Sequence, residues 1–371
     1  MKRTLIAMSG GVDSSVAALL LMEAGHDLIG VTMCLGMDEG TGQAHAACCG
    51  PDAAADAKRV AEHLSIPHYV LDFSSELREK VVDRFVDEYR SGRTPNPCVD
   101  CNRHLKFDTL LSRARAFGMD KLATGHYARI EEREGDHLLM RPKDRIKDQT
   151  YFLAGIGREA LGSILFPLSS LTKQEVRKIA QDARLPVAEK PESQDICFVP
   201  NGDYGGFIER RIGAAVPGPI VDTDGRVLGT HRGIPYYTVG QRAGLGITAK
   251  RPLYVVRIEA EENTIVVGPR EALSGSGLVC SDVNRLVDEI PERLTVKIRY
   301  TKKDAHARVV SDDSTAITVV FDEPQEAITP GQAAVFYEGD VVLGGGTIER
   351  VLDDYYRAVH PFPPTKGVQC T

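Results

Sequence analysis

The side chains with most chemical reach in this chain are three cysteines and the serines and aspartate of one glycine loop. Cys98 and Cys101 stand three positions apart in TPNPCVDCNRHLKF, between prolines and a basic run. Cys197 follows far downstream in SQDICFV, near Pro191 and Pro200. Thiolates so placed can ligate a metal, carry sulfur, or simply pack as small apolar groups. Arg93, Arg103 and Lys106 are close enough in sequence to favour the thiolate form. The second group is MSGGVDSS, Met8 to Ser15. Gly10 and Gly11 allow a tight turn and close approach of a ligand to the backbone. Ser14 and Ser15 open a helix whose N–H groups and dipole favour an anion, and Asp13 is placed to help hold Mg²⁺ on bound phosphates. Neither a Gly-Lys-Ser/Thr ending nor G-x-G-x-x-G is present. The plainer alternative is a glycine turn with a serine cap.

The elements around these residues alternate. Thr4–Met8, Leu28–Met33, His68–Phe73 and Lys121–Ile130 read as strands, and Ser14–Ala24, Ala53–Leu64, Glu76–Tyr89 and Leu105–Phe117 as helices. This predicts an α/β fold with a parallel sheet, whose ligands gather at the carboxyl ends of the strands. Beyond Gly202 the texture turns to Gly, Pro and β-formers. LTVKIRY, Leu294–Tyr300, alternates apolar and polar residues, and Ala305–Val310, Ala316–Phe321, Ala333–Tyr337 and Val341–Ile348 continue as short strands, as in a small β-barrel. The stretch 205–275 shows no clear pattern.

The 371 residues suffice for two or three domains, and 42% hydrophobic with 26% charged residues is an ordinary globular profile. A net charge of −7 argues against indiscriminate nucleic-acid binding but leaves room for a local basic face. No apolar run reaches membrane-spanning length, and the apolar part of MKRTLIAMSGG is too short for a secretory signal, so no membrane partner and a cytoplasmic location are expected. In a reducing compartment eight cysteines are no disulfide framework. Cys34, Cys48, Cys49 and Cys280 read as packing residues, and Cys370 lies near the C-terminus.

SGGVDSS resembles the PP-loop of ATP pyrophosphatases, which cleave ATP between the α and β phosphates. With GRTPNP, CNRHLKF, ATGHYARI, KDQTYFL, SQDICF, YTVGQRAGLGI and TPGQAAVFY, in this order, the chain resembles the tRNA-specific 2-thiouridylase (MnmA type) family over nearly its whole length. The resemblance implies a Rossmann-like PP-loop domain over 1–203, a central domain over 204–276, a β-barrel over 277–352 and a flexible tail over 353–371. It implies adenylation of the uracil 2-oxygen of a wobble uridine, then sulfur transfer. ATP with Mg²⁺ would be held by Ala7, Met8, Ser9, Gly10, Gly11, Val12, Asp13, Ser14, Met33 and Gly125. Asn96, Pro97, Cys98, His126, Lys147, Asp148, Gln149, Arg299, Tyr300 and Gln332 would meet tRNA. Cys101 matches the catalytic cysteine and Cys197 its persulfide-bearing partner.

The family's better-known Asp-x-x-Cys is here Cys98-x-x-Cys101, with Asp100 displaced two positions. Three cysteines could hold a [4Fe–4S] cluster with one open iron. That is the first expectation, ahead of a persulfide relay between Cys101 and Cys197 and ahead of zinc. The implied partners are tRNAs for Lys, Glu and Gln and a cysteine desulfurase or relay protein, with a monomer or weak homodimer. A synthetase acting on a small metabolite and a non-catalytic tRNA-binding iron–sulfur protein are the alternatives. Pyrophosphate release with and without unmodified tRNA separates the three.

Overall fold

The computed structural model describes residues 2–36, 51–191, 196–199 and 202–352. The tail expected over 353–371 and the Cys48–Cys49 pair lie outside the described residues. The first half runs β1 (Arg3–Ala7), α1 (Val12–Glu23), β2 (Asp27–Cys34), α2 (Pro51–His63) and β3 (His68–Asp72). Two long helices follow. The consecutive segments Ser74–Leu77, Arg78–Val82 and Asp83–Arg90 form α3, and Pro97–Asp100, Cys101–Leu110 and Leu111–Ala116 form α4, each with a wide-turn stretch in its middle. Then come β4 (Lys121–Ala123), the hairpin β5 (Arg129–Arg133) and β6 (Asp136–Met140), β7 (Ile164–Leu165) and α5 (Lys173–Asp182).

The parallel sheet expected from the alternation is present, in the order β3-β2-β1-β4-β7. The chain lays β2 and β3 on one side of β1 and then crosses to β4 on the other, so a crevice opens at the carboxyl end of β1. Leu5 and Ile6 of β1 are fully buried and face opposite layers. One layer is small: Val16, Ala17 and Ala18 of α1 pack with Ala57, Val60 and Ala61 of α2 and with Val176 and Ala180 of α5. The other is large: Leu77, Val81 and Phe85 of α3 pack with Leu105, Phe107 and Leu110 of α4.

The stretch without a clear pattern contains α6 (Tyr204–Ile212) and a four-stranded sheet of β8 (Gly218–Asp222), β9 (Val227–His231), β10 (Tyr254–Glu259) and β11 (Thr264–Gly268), ordered β10-β11-β8-β9. Next come β12 (Ser274–Arg285), β13 (Arg293–Lys297), β14 (Ala305–Asp312), β15 (Ala316–Glu326), β16 (Ala333–Glu338) and β17 (Val341–Leu352). Their order β12-β15-β14-β13-β16-β17, with β12 also paired to β17, closes a six-stranded barrel. Leu294, Val296 and Ile298 point into it, as the alternation predicts, although the strand stops at Lys297.

Two features differ from the expectation. Lys121–Ile130 is not one strand: β4 ends at Ala123, and β5 starts only at Arg129. The β5–β6 hairpin lies inside the stretch assigned to the first domain, yet Met140 pairs with Val341 and extends the barrel sheet. Arginines of the first half also reach barrel acids. Arg93 pairs with Glu349 at 2.8 Å, Arg103 with Asp282 at 2.6 Å, Arg141 with Asp304 at 2.5 Å and Arg145 with Asp340 at 2.6 Å.

Candidate active site

The glycine loop leaves β1 at its carboxyl end. Gly10 has φ +67°, and a Cβ there would sit 2.2 Å from the Ala53 carbonyl oxygen, so only glycine fits. The Ser9 N–H donates to Ser14 Oγ at 3.2 Å, while the Ser14 and Ser15 hydroxyls donate to the Gly11 carbonyl at 3.1 and 2.8 Å. Gly11 caps α1 with no side chain, which leaves the first-turn N–H groups for an anion. Met8 and Val12 are buried, and the Met8 backbone is engaged, its N–H donating to the Val31 carbonyl at 2.8 Å and its carbonyl accepting from Thr32 Oγ1 at 2.8 Å, whereas Ser9 is exposed and Ala7 and Met33 are half-buried. Gly125 packs directly on this turn: a Cβ would lie 2.6 Å from Ser14 N and 2.7 Å from the Asp13 carbonyl carbon. Its smallness thus serves the start of α1.

The loop sits among groups the sequence reading did not select. Lys173 Nζ donates to both Asp13 carboxylate oxygens, at 2.7 and 2.8 Å, and the Tyr127 hydroxyl donates to Oδ1 at 2.8 Å. Lys190 Nζ donates to the Gly10 carbonyl at 3.0 Å and to Asp56 Oδ2 at 2.5 Å. Burial pushes the Asp56 carboxyl up, but the Lys190 ammonium and the Arg59 guanidinium outweigh it and hold the group below the usual range. Two ammonium groups therefore reach the glycine turn, each balanced by a carboxylate. Lys173 opens α5 behind a capping box of Thr172 and Glu175, a signal visible in the sequence TKQE. Tyr127 lies in the stretch ATGHYARI.

The cysteine helix starts at Pro97, buried in its first turn. Cys98 is exposed and Cys101 half-buried. Asn102 fixes the turn by donating to the Phe152 carbonyl at 3.0 Å. Cys101 and Cys197 both border the large-residue core. Adjacent residues of α3 hold both segments: Arg84 Nη1 lies 3.1 Å from Asp100 Oδ1, and the Phe85 ring meets Phe198 edge-on at 5.4 Å. Burial pushes the Asp100 carboxyl up to about 6 despite Arg84. The arginines expected to polarise the thiols are matched by acids, Arg93 by Glu88 at 2.7 Å as well as Glu349, and Arg103 by Asp282. Among the described residues no three His, Cys, Asp or Glu side chains are gathered as a metal-holding group, so the ligand set expected for a cluster on Cys98, Cys101 and Cys197 is not assembled in this arrangement.

Several residues expected at the RNA make internal contacts. Asp148 is 4% exposed and accepts from Arg141 Nη1 at 2.7 Å and from the Thr150 N–H and hydroxyl at 2.9 and 2.6 Å. Gln149 and Tyr127 exchange hydrogen bonds: the Tyr127 N–H donates to Gln149 Oε1 at 2.8 Å, and the Gln149 N–H to the Tyr127 carbonyl at 3.0 Å. This holds the tyrosine that bonds Asp13. Gln332 Nε2 donates to the Thr94 and Pro95 carbonyls at 2.8 and 3.2 Å, which fastens the loop before the cysteines to the barrel. His126 meets Thr124 Oγ1 at 2.8 Å beside the Phe107 and Phe166 rings, and burial with the Lys106 charge keeps its imidazole neutral at physiological pH. Arg299 donates to the Val239 carbonyl at 3.0 Å and to Thr329 Oγ1 at 2.5 Å, and the Tyr300 ring packs against Phe152 at a 38° tilt with centroids 4.5 Å apart. Lys147 and Asn96 are half-buried.

Three family profiles cover the chain: tRNA methyl transferase HUP domain over 2–201, tRNA methyl transferase PRC-barrel domain over 205–269, and aminomethyltransferase beta-barrel domain over 276–348. The tRNA-specific 2-thiouridylase MnmA 1 of Syntrophus aciditrophicus is 53% identical over 351 residues, 95% of this chain and 94% of that one. The tRNA-specific 2-thiouridylase MnmA of Carboxydothermus hydrogenoformans is 50% identical over 359 residues, 95% of this chain and 98% of that one. A solved NMN synthetase from Francisella tularensis aligns with a TM-score of 0.33 at 18% identity, over 52% of this chain and 66% of that one, too distant to bear on the site. Half-identity along almost the full length of both sequences, with the glycine loop and the cysteine helix in place, makes this chain a member of the tRNA-specific 2-thiouridylase MnmA family.

Proposed function

We propose that this enzyme converts the wobble uridine of tRNA to 2-thiouridine, first by ATP-dependent adenylation of the uracil 2-oxygen and then by sulfur transfer from its cysteines. The observation that carries the reading is half-identity, over nearly the whole chain, to proteins named tRNA-specific 2-thiouridylase. The site chemistry agrees with it. A uracil carbonyl oxygen is a poor leaving group, and AMP is a good one. Attack of that oxygen on the α-phosphorus expels pyrophosphate, whose growing charge is met by the α1 N–H groups, Lys173 and Lys190. Mg²⁺ arriving with ATP would be held by Asp13 once that carboxylate exchanges its Lys173 partner for the metal, and it neutralises phosphate charge when bound. The target base must leave its stack, and Asn96, Pro97 and Cys98 form a stiff wall for it.

The sulfur step runs on thiols. The terminal sulfur of a Cys197 persulfide attacks C2, the C–O bond to AMP breaks, and the base is left joined to Cys197 through two sulfurs. The Cys101 thiolate then attacks the Cys197 sulfur, which releases 2-thiouridine and forms a Cys101–Cys197 disulfide. A dithiol must reduce that disulfide, and a desulfurase or relay protein must reload the persulfide. No step passes through a cluster, whose ligand set is not assembled among the described residues.

The test is pyrophosphate release, expected only with tRNA bearing an unmodified wobble uridine. The Cys197→Ser variant should still release pyrophosphate but make no 2-thiouridine. Release without tRNA would overturn the reading. Anaerobic protein holding about four irons and inactivated by Cys98→Ala would overturn the thiol route.

A further inference from the structure

Between Gly225 and Ile258 the chain carries Arg226, Arg232, Arg242, Lys250, Arg251 and Arg257 and no aspartate or glutamate, in a protein of net charge −7. Arg226 and Arg257 have acidic partners in Asp224 and Glu259, and Arg232 lies 3.8 Å over the Tyr236 ring. Arg242, Lys250 and Arg251 are exposed, and no carboxylate among the described residues pairs with them. They belong to the segment 240–253, which has no helix or strand yet is firmly anchored. The Thr238 N–H donates to Gln241 Oε1 at 3.1 Å, Gln241 Nε2 donates to the Ala243 carbonyl at 2.9 Å, and the Val255 N–H donates to the Gln241 carbonyl at 2.9 Å. Leu245 is buried in the core of the central sheet. Gly244 and Gly246 adopt φ +74° and +68°, and a side chain added at Gly246 would meet nothing, so bare backbone faces outward. The three cations border a depression of about 420 Å³.

This loop is linked to the cysteine helix. Arg299 ties the Val239 carbonyl, at its base, to Thr329, and in the same turn Gln332 holds Thr94 and Pro95, just ahead of Pro97 and Cys98. An anchored cationic surface without acids, joined through two side chains to the site of chemistry, suits a regularly spaced polyanion. Arginine forks also match phosphate oxygens.

We infer that Arg242, Lys250 and Arg251 grip phosphates of the RNA stem that carries the target uridine. The identity of that RNA rests on the thiolation reading above. The experiment compares the full-length protein with an Arg242→Ala/Lys250→Ala/Arg251→Ala variant. Binding of unmodified tRNA is measured by filter retention from 0.05 to 0.4 M salt. Each phosphate contact contributes ~0.7–0.9 to the slope of log K against log salt, so the variant's slope should be shallower by about 2–3, with binding about 10- to 100-fold weaker near 0.15 M. The thermal midpoint should stay unchanged, and Arg242→Lys/Arg251→Lys should recover most of the slope. Equal slopes would overturn the inference while leaving the thiolation reading intact. So would unchanged tRNA binding with lost sulfur uptake from a persulfide-loaded donor protein, which would assign the surface to a protein. If wild-type protein neither binds tRNA nor releases pyrophosphate with it, the thiolation reading fails and the inference fails with it.

Discussion

Asp148 offers a sharp test, because the family resemblance places it at the RNA and its surroundings place it in the scaffold. Asp148→Ala removes a carboxylate that is 4% exposed from Arg141, itself 11% exposed. Removing one partner of a buried ion pair costs about 3–5 kcal/mol. Arg141 keeps Asp304 at 2.5 Å and the Tyr337 ring at 3.7 Å, which sets this part near the lower end, about 3 kcal/mol. The two donors orphaned on Thr150 add about 1–2 kcal/mol. The expected loss is therefore about 4–5 kcal/mol for Ala and about 2 kcal/mol for Asn, which keeps an acceptor for Thr150. Urea unfolding can be followed by tyrosine fluorescence, since the chain has no tryptophan and the Tyr337 hydroxyl lies 3.1 Å from Thr150 Oγ1. An Asn variant within about 0.5 kcal/mol of wild type that binds tRNA tenfold more weakly would refute this: its carboxylate would then face the RNA.

Other perturbations probe the remaining contacts. Gly125→Ala forces a Cβ to 2.6 Å from Ser14 N, so the start of α1 must shift; about 1–3 kcal/mol of stability and at least tenfold in pyrophosphate release should be lost, and a normal rate in a release assay would contradict this. Gln332→Ala frees the Thr94 and Pro95 carbonyls and should slow sulfur transfer more than it weakens tRNA binding; a pure binding defect in a kcat-against-KM comparison would point to direct RNA contact. Asp100 sits at about 6 in the folded protein against 3.8 for its ordinary value. Between those pH values the unfolded chain gives up this proton and the folded one keeps it. Its contribution to stability is thus present below pH 4 and falls, by on the order of 2–3 kcal/mol, as pH rises through 6. Asp100→Asn should flatten that part of the urea-midpoint profile, and a wild-type profile parallel to the variant's would argue otherwise.

The legible parts were those with local signals. Period-two and helical runs marked β1 to α4, and LTVKIRY marked the barrel. The central sheet was not legible because its strands are short and separated by glycines that carry loop conformations, such as Gly233 at φ +130° and Gly240 at φ +88°. Nor could the hairpin reveal that it would join β17, some 200 residues away, since that pairing is set by packing alone. In the site, the glycine turn and the cysteine helix carry motifs. The partners of Asp13 do not: Tyr127 and Lys173 reach it across 114 and 160 positions. By resemblance KDQ reads as an RNA contact; the burial of Asp148 and the exchange between Gln149 and Tyr127 can be seen only in three dimensions.

In this mechanism the glycine turn and the cysteines act in succession on one uridine. A single-turnover reaction of persulfide-loaded enzyme, ATP and unmodified tRNA measures this directly, with pyrophosphate and 2-thiouridine counted together. One of each per active site, with a Cys101–Cys197 disulfide found afterwards by peptide mapping, is the expected result. Thiolated tRNA formed without ATP cleavage, or a disulfide that joins other cysteines, would contradict it.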